Sequence, residues 1–124
     1  MAIGDPNLIA GVGSLTLDGT QLAVKANMTI SPSPLTREGI AGQDRVHGYK
    51  EMPAVPWIEA DLSIQHGFAI EDMNLDVDST LVAQLADGRV YVLRDCWYVG
   101  RTEINTQDGQ YRARFEGFEC QEIM

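Results

Sequence analysis

Three Asp-Gly dipeptides, Asp18-Gly19, Asp87-Gly88 and Asp108-Gly109, constrain this chain more than any other feature of its sequence. Each lies between runs of β-type residues. A type I′ turn needs positive φ at both central positions, which Asp tolerates and Gly adopts freely, so Asp-Gly between such runs signals a hairpin. Three of these turns in 124 residues predict a small stack of antiparallel hairpins. No comparable signal of chemistry accompanies them, so function is expected in surfaces.

The flanking runs have the matching period. Leu15 and Leu17 lead into the first turn, and Leu22, Val24, Ala26, Met28 and Ile30 alternate with Ala23, Lys25, Asn27 and Thr29 beyond it. That period of two predicts a hairpin from about Val12 to Ile30 with one face on a core. Alternation resumes from Trp57 to Gln65, with Ile58, Ala60, Leu62 and Ile64 on one face and Trp57, Glu59, Asp61 and Ser63 on the other. From Arg89 to Gly100 both faces are apolar: Val90, Val92, Cys96 and Tyr98 on one, Tyr91, Leu93, Trp97 and Val99 on the other. This predicts a central strand covered on both sides, interrupted by Arg94-Asp95 at a sheet rim. In the last hairpin the apolar positions are Tyr111, Ala113 and Phe115, then Phe118 and Cys120. A one-residue change of phase at Glu116-Gly117 predicts a β-bulge. Residues 69–75 are the one helix candidate, with acids near the N-terminal end that suit the helix dipole.

Ser31 to Pro56 breaks the pattern. Pro32, Pro34, Pro53 and Pro56 share it with Gly39, Gly42 and Gly48, and its apolar residues follow no period. Proline removes ladder donors and glycine loosens the backbone, so the segment is expected to be a long loop or a loosely paired arm. Structureless loops of that length are uncommon unless functional or disordered. Tyr49 and Trp57 near its far end favour docking on something.

Composition narrows the function classes. The length suits one domain with a proper core, and 44% hydrophobic residues are too many for a disordered chain. There is no apolar run that could span a bilayer, and Met1 to Pro6 lack the pattern of a secretory signal, so synthesis and folding are expected in the cytoplasm. Eighteen acidic against nine basic residues give a formal charge of −9, which disfavours a sequence-reading nucleic-acid binder. Acidity either keeps the protein soluble or keeps polyanions from sticking. Cys96 and Cys120 do not form a disulfide framework.

Candidate chemistry is thin. His47, His66, Cys96 and Cys120 lack the short ligand spacings of structural zinc. Cys96 with His66 shows no nucleophile turn. Glu59 and Asp61 on one strand face fit an acid/base pair less well than a solvated or lumen-facing strand. Gly11-Val12-Gly13-Ser14 lacks the lysine of a phosphate loop, and Trp97-Tyr98 suits a core better than a carbohydrate platform. Neither a catalytic residue nor a cofactor or metal is expected.

Several strings occur in order: Val46-His47-Gly48-Tyr49-Lys50-Glu51, Ile58-Glu59-Ala60, Leu85-Ala86-Asp87-Gly88, the run from Tyr91 to Gly100, and Arg114-Phe115-Glu116-Gly117. From about Gly11 to Glu122 the chain resembles the tail tube proteins of Mu-like contractile-tailed phages and their prophage relatives. Met1–Ala10 match no family string. The resemblance implies a mainly β domain spanning the chain, a β-sandwich or rolled barrel of antiparallel hairpins with a short flanking helix and a long arm. It implies a non-enzymatic virion protein whose stacked hexameric rings conduct DNA inside a contractile sheath. Its implied partners are itself, the sheath, baseplate or initiator and tail-terminator proteins, with DNA passing unbound through the lumen. Val46, Gly48, Tyr49, Lys50, Glu51 and Trp57 become the candidate subunit interface. Glu59, Asp61 and Ser63 become lumen-facing candidates, with packing on sheath or solvent the competing reading. A tailocin tube or related injection-machine part, or a ligand- or glycan-binding β-sandwich, are the alternatives.

Overall fold

The computed structural model describes residues 13–65, 77–100 and 102–123, and every regular element among them is a strand. In chain order these are β1 (Ser14–Leu17), β2 (Thr20–Leu22), β3 (Val24–Ser31), β4 (Leu35–Ala41), β5 (Val46–Pro53) and β6 (Trp57–Ser63). They continue as β7 (Ser79–Gln84), β8 (Val90–Val99), β9 (Ile104–Asn105), β10 (Gln110–Glu116) and β11 (Glu119–Ile123). The expected helix at 69–75 falls outside the described residues.

All three Asp-Gly dipeptides turn the chain between antiparallel strands, by three different routes. Asp18 and Gly19 have φ of 48° and 87°, the two positive values a type I′ turn requires, and close β1 on β2. At the second turn only Gly88 is positive, at 101°. Its N–H donates to the Leu85 carbonyl at 3.1 Å and Leu85 N–H to the Arg89 carbonyl at 2.8 Å, so Ala86-Asp87-Gly88 form a three-residue loop. The third loop is longer. Asn105 Oδ1 accepts from the N–H groups of Gln107 and Asp108 at 3.0 and 3.2 Å, and Gly109, at φ 64°, returns the chain to β10.

Nine strands form one rolled sheet in the order β2-β1-β7-β8-β10-β6-β3, with β11 beside β8 and β9 beside β10. The roll happens along β8. Its first part pairs with β7 and β11, and Trp97–Val99 pair with β10. Leu15, Leu81, Ala83 and Leu93 from one half meet Ile58, Leu62, Ala113 and Phe115 from the other in a single buried cluster. Tyr98 packs edge-on against Phe115 with ring centroids 5.5 Å apart. Alternation along β6 and β10 thus turns the expected residues inward, except Ile64, which lies past the end of β6 and is exposed.

Four expectations change in detail. The run from Val12 to Ile30 is not one hairpin: the strand breaks at Ala23, β2 pairs with β1, and β3 crosses to pair with β6. Of the two forms expected for Ser31–Pro56, a long loop or a loosely paired arm, the second is the nearer, and its pairing is mostly regular: β4 with β5 form a hairpin. β8 is central in its pairing but covered on one face, since Tyr91, Leu93 and Cys96 are buried while Val90 and Val92 are only half-buried.

The fourth change concerns the bulge. Asp95 has φ 51°, and the β7–β8 register shifts between Ser79↔Cys96 and Leu81↔Leu93, so the inserted residue sits at Arg94-Asp95 on β8. Across the sheet, the pairing of β8 with β10 and with β11 keeps one register, Glu116↔Trp97 and then Glu119↔Arg94. The two strands break together there. Gly117 fits at the break because a Cβ would lie 2.8 Å from the Arg94 carbonyl oxygen and 2.9 Å from Leu93.

Candidate assembly interface

Among the described residues the β4–β5 hairpin joins no other strand. Every residue of β5 is exposed, as is every residue of β4 after Leu35. Eight extended residues make an arm about 25 Å long. Its charges pair across the two strands. Arg37 lies opposite Glu51 and Glu38 opposite Lys50, with ion pairs of 3.8 and 3.5 Å. Tyr49 faces Gly39, and the Arg37 guanidinium lies 5.8 Å from its ring centroid. Gly48 has φ 152°, a left-handed value that only glycine takes without strain, where the register of the two strands shifts. At the tip Gly42 N–H donates to the Arg45 carbonyl at 2.8 Å, and His47 Nε2 lies 3.3 Å from Asp44 Oδ1.

Of the candidate interface residues, Val46, Gly48, Tyr49, Lys50 and Glu51 all stand on β5, with Tyr49 62% and Val46 73% exposed. Met52 and Ile40 add exposed apolar surface. Trp57 belongs elsewhere. It opens β6, and the Arg114 guanidinium lies 4.3 Å from its ring centroid.

Glu59, Asp61 and Ser63 share the face of β6 that points away from the core, as the alternation requires. The two carboxylates are not free. Arg112 of β10 donates to Glu59 and, at 2.9 Å, to Asp61, while Arg114 lies 3.3 Å from both Glu59 and Glu116. Asn27 Nδ2, on β3, donates to Asp61 Oδ2 at 2.8 Å. Asn27 has φ 57° at an irregular stretch of the β3–β6 pairing, so this bond anchors a kink in the edge strand. The Arg112 hydrogen bond holds the Glu59 carboxyl below the usual carboxylate range, against the opposing pull of burial. For Asp61 the Asn27 bond is the first cause and Arg112 adds to it. The arginine partners were missed from sequence. Their signal was present: two bases two residues apart on β10 match two acids two residues apart on β6.

A second missed feature lies where the arm begins. Trp57, Glu116 and Trp97 are consecutive across β6, β10 and β8 on that same outer face. Phe118, 78% exposed, stands edge-on to Trp97 with centroids 5.6 Å apart. Pro56 accepts a hydrogen bond from Gly117 N–H at 3.1 Å, tying the arm's return to this aromatic ledge. Cys96 is buried in the core, and burial also raises the Cys120 thiol pKa. Among the described residues no cluster of three His, Cys, Asp or Glu side chains could hold a metal ion.

The fold is similar to that of two solved structures. The sheath/tube terminator of the extracellular contractile injection system PVC, in its extended state, matches with a TM-score of 0.66 at 6% identity. That match covers 99% of this chain and 100% of the terminator. Hcp1 from Flavobacterium johnsoniae matches with a TM-score of 0.63 at 11% identity, covering 90% of this chain and 94% of Hcp1. No curated protein sequence matches. The model of the phage tail tube protein family matches residues 7–122, and the chain belongs to that family. It is a structural subunit of a tail tube, which places it in the virion tail.

Proposed function

We propose that copies of this chain assemble into stacked, hexameric rings that form the inner tube of a contractile tail, through which DNA passes into the host. The arm carries the reading: a charged and aromatic hairpin that finds no further strand partner among the described residues. Contacts between two different patches of one subunit repeat without closing along an axis, and so build filaments. Val46, Gly48, Tyr49, Lys50 and Glu51 form the contact on a neighbour, with tyrosine as the anchor. Sheath, baseplate or initiator and tail terminator meet the finished tube, and assembly takes place in the host cytoplasm.

The face bearing Glu59, Asp61 and Ser63 is assigned to the lumen. Its carboxylates are engaged, Glu59 by Arg112 and Arg114, Asp61 by Arg112 and Glu116 by Arg114, which leaves a small negative excess. Such a wall offers phosphate neither free cations nor a strong repulsive field, and DNA slides over it. The same fold serves a sheath/tube terminator. A tailocin tube is therefore the second reading, and neighbouring genes would separate them.

The test is negative-stain electron microscopy of purified protein over a concentration series, with and without purified baseplates. Rings or tubes with a central hole are expected, and Tyr49→Ala with Lys50→Glu should yield a folded subunit that does not polymerise. Dispersed monomers even with baseplates would overturn the tube reading. Normal tubes from the double variant would remove these arm residues from the interface.

A further inference from the structure

We propose that the four prolines at the root of the arm form a hinge on which the arm swings as one hairpin. The hinge is a property of the subunit; its use in assembly rests on the tube reading above. The β3–β6 ladder ends at Ser31↔Trp57 and the β4–β5 ladder begins at Leu35↔Pro53. Carrying either register across the break meets the other with no residue gained or lost. Pro32 is thereby set opposite Pro56, Ser33 opposite Val55 and Pro34 opposite Ala54. Sheet strands and arm strands are one long hairpin, cut at a single level by composition. Four of the chain's five prolines lie there, and each lacks the N–H that a ladder needs.

The bonds at the root separate a fixed side from a moving side. Pro56 is buried, and its carbonyl accepts from Gly117 N–H at 3.1 Å, which pins the sheet side at the end of β10. Ala54 N–H donates to the Pro34 carbonyl at 3.0 Å, which ties the two arm strands to each other where the arm starts. Between those ties lie Pro32 and the exposed Ser33 and Val55. Beyond them the arm holds together through its own ladder and the Arg37–Glu51 and Glu38–Lys50 ion pairs. Among the described residues no other strand pairs with it, and every residue of β5 is exposed, so no packing along β5 sets its direction. The swing is bounded. A residue before proline is kept out of the helical region, so Ser31, Ser33 and Val55 stay extended and hold the arm pointing away from the sheet. The result is a short pivot between two paired segments, moving on the nanosecond-to-microsecond scale of loops. In a stack of rings such an arm meets its neighbour by turning as a unit, and no bond of the sheet has to open.

Residual dipolar couplings of backbone amides, measured on the dispersed subunit, test the hinge. The amides of β4 and β5 should fit one common alignment, with couplings uniformly smaller than those of β3, β6 and β10. Couplings as large as the sheet's and on the same alignment would mean a fixed arm and overturn the proposal. Couplings that scatter from residue to residue would mean that the arm does not move as one body, and overturn it equally. The cause is tested by Pro32→Val with Pro56→Val, which restores two opposed donors on residues suited to strands. The arm couplings should then rise to the sheet's, and the new amides at both positions should exchange slowly. An arm that swings as before in this variant removes the prolines as the cause. Pro56 is buried, so Pro32→Val alone, with a partial rise expected, decides the matter where the double variant does not fold. The locked variant should also form fewer tubes than wild type under the same conditions, and an equal yield would overturn the use of the swing in assembly. Wild-type protein whose arm swings but which stays monomeric with baseplates removes the tube reading and leaves the hinge standing.

Discussion

The rolled sheet and the arm are both antiparallel β-structure with paired registers, yet they are held together by opposite means. Ile58, Leu62, Leu81, Leu93 and Phe115 are 0–1% exposed, and their burial drives the folding of the sheet. The arm has regular cross-strand pairing but no buried residue on β5, and its ion pairs are solvent-exposed. Surface pairs of this kind contribute at most about 1 kcal/mol each, and a lone two-stranded hairpin is marginal in water. The contrast teaches where the stability of the subunit ends and that of the assembly begins. The sheet carries its own buried core, and an arm that docks as proposed gains its full stability only against a neighbour.

The sharpest way to break that comparison is to injure the core. Phe115→Ala removes a ring packed on Tyr98, and should cost about 3–5 kcal/mol in urea unfolding. Next comes Gly117→Ala, whose new methyl would press on the Arg94 carbonyl and on Leu93, where the two strands break together. Overpacking there should cost about 1–3 kcal/mol. A smaller loss would show that this corner gives way easily.

The charged face of the sheet lies between the two extremes. Glu59 and Asp61 both titrate below the usual carboxylate range because Arg112, Asn27 and Arg114 favour their ionised forms. A depressed folded pKa contributes stability that is fully present above the unfolded value, about pH 4, and is lost as pH falls through the folded one. Stability should therefore decline from about pH 5 downward, and Arg112→Ala should flatten part of that decline. An unchanged acid slope in the variant would mean that the ion pairs are idle. The smallest effect belongs to the arm. Arg37→Ala, which removes the pair with Glu51 and the contact with Tyr49, should shift subunit stability by no more than about 0.5 kcal/mol.

Reading the sequence succeeded where one face is buried and failed where none is. Ile58, Ala60 and Leu62, like Tyr111, Ala113 and Phe115, announce their strands because the core selects every second residue. In β4 and β5 no face is selected, so Ser31 to Pro56 showed proline and glycine without period and read as a long loop or a loosely paired arm, with no strand marked in it. The bulge was legible as a change of phase at Glu116-Gly117, but a phase change on one strand does not reveal which neighbour carries the extra residue. Here it is Asp95 on β8. Ala23 preserves alternation through the break between β2 and β3, so the crossing of the chain left no trace in the pattern. The ion pairs of Glu59 and Asp61 needed the β6–β10 register, which no single run of sequence displays.

Amide hydrogen exchange, compared between the dispersed subunit and the assembled tube, tests the central claim most directly. The account predicts slow exchange for β6, β8 and β10 in both states, and fast exchange for β4 and β5 in the subunit that becomes slow in the tube. Arm amides as protected in the subunit as those of the core would contradict it, as would arm amides that stay fast in the tube.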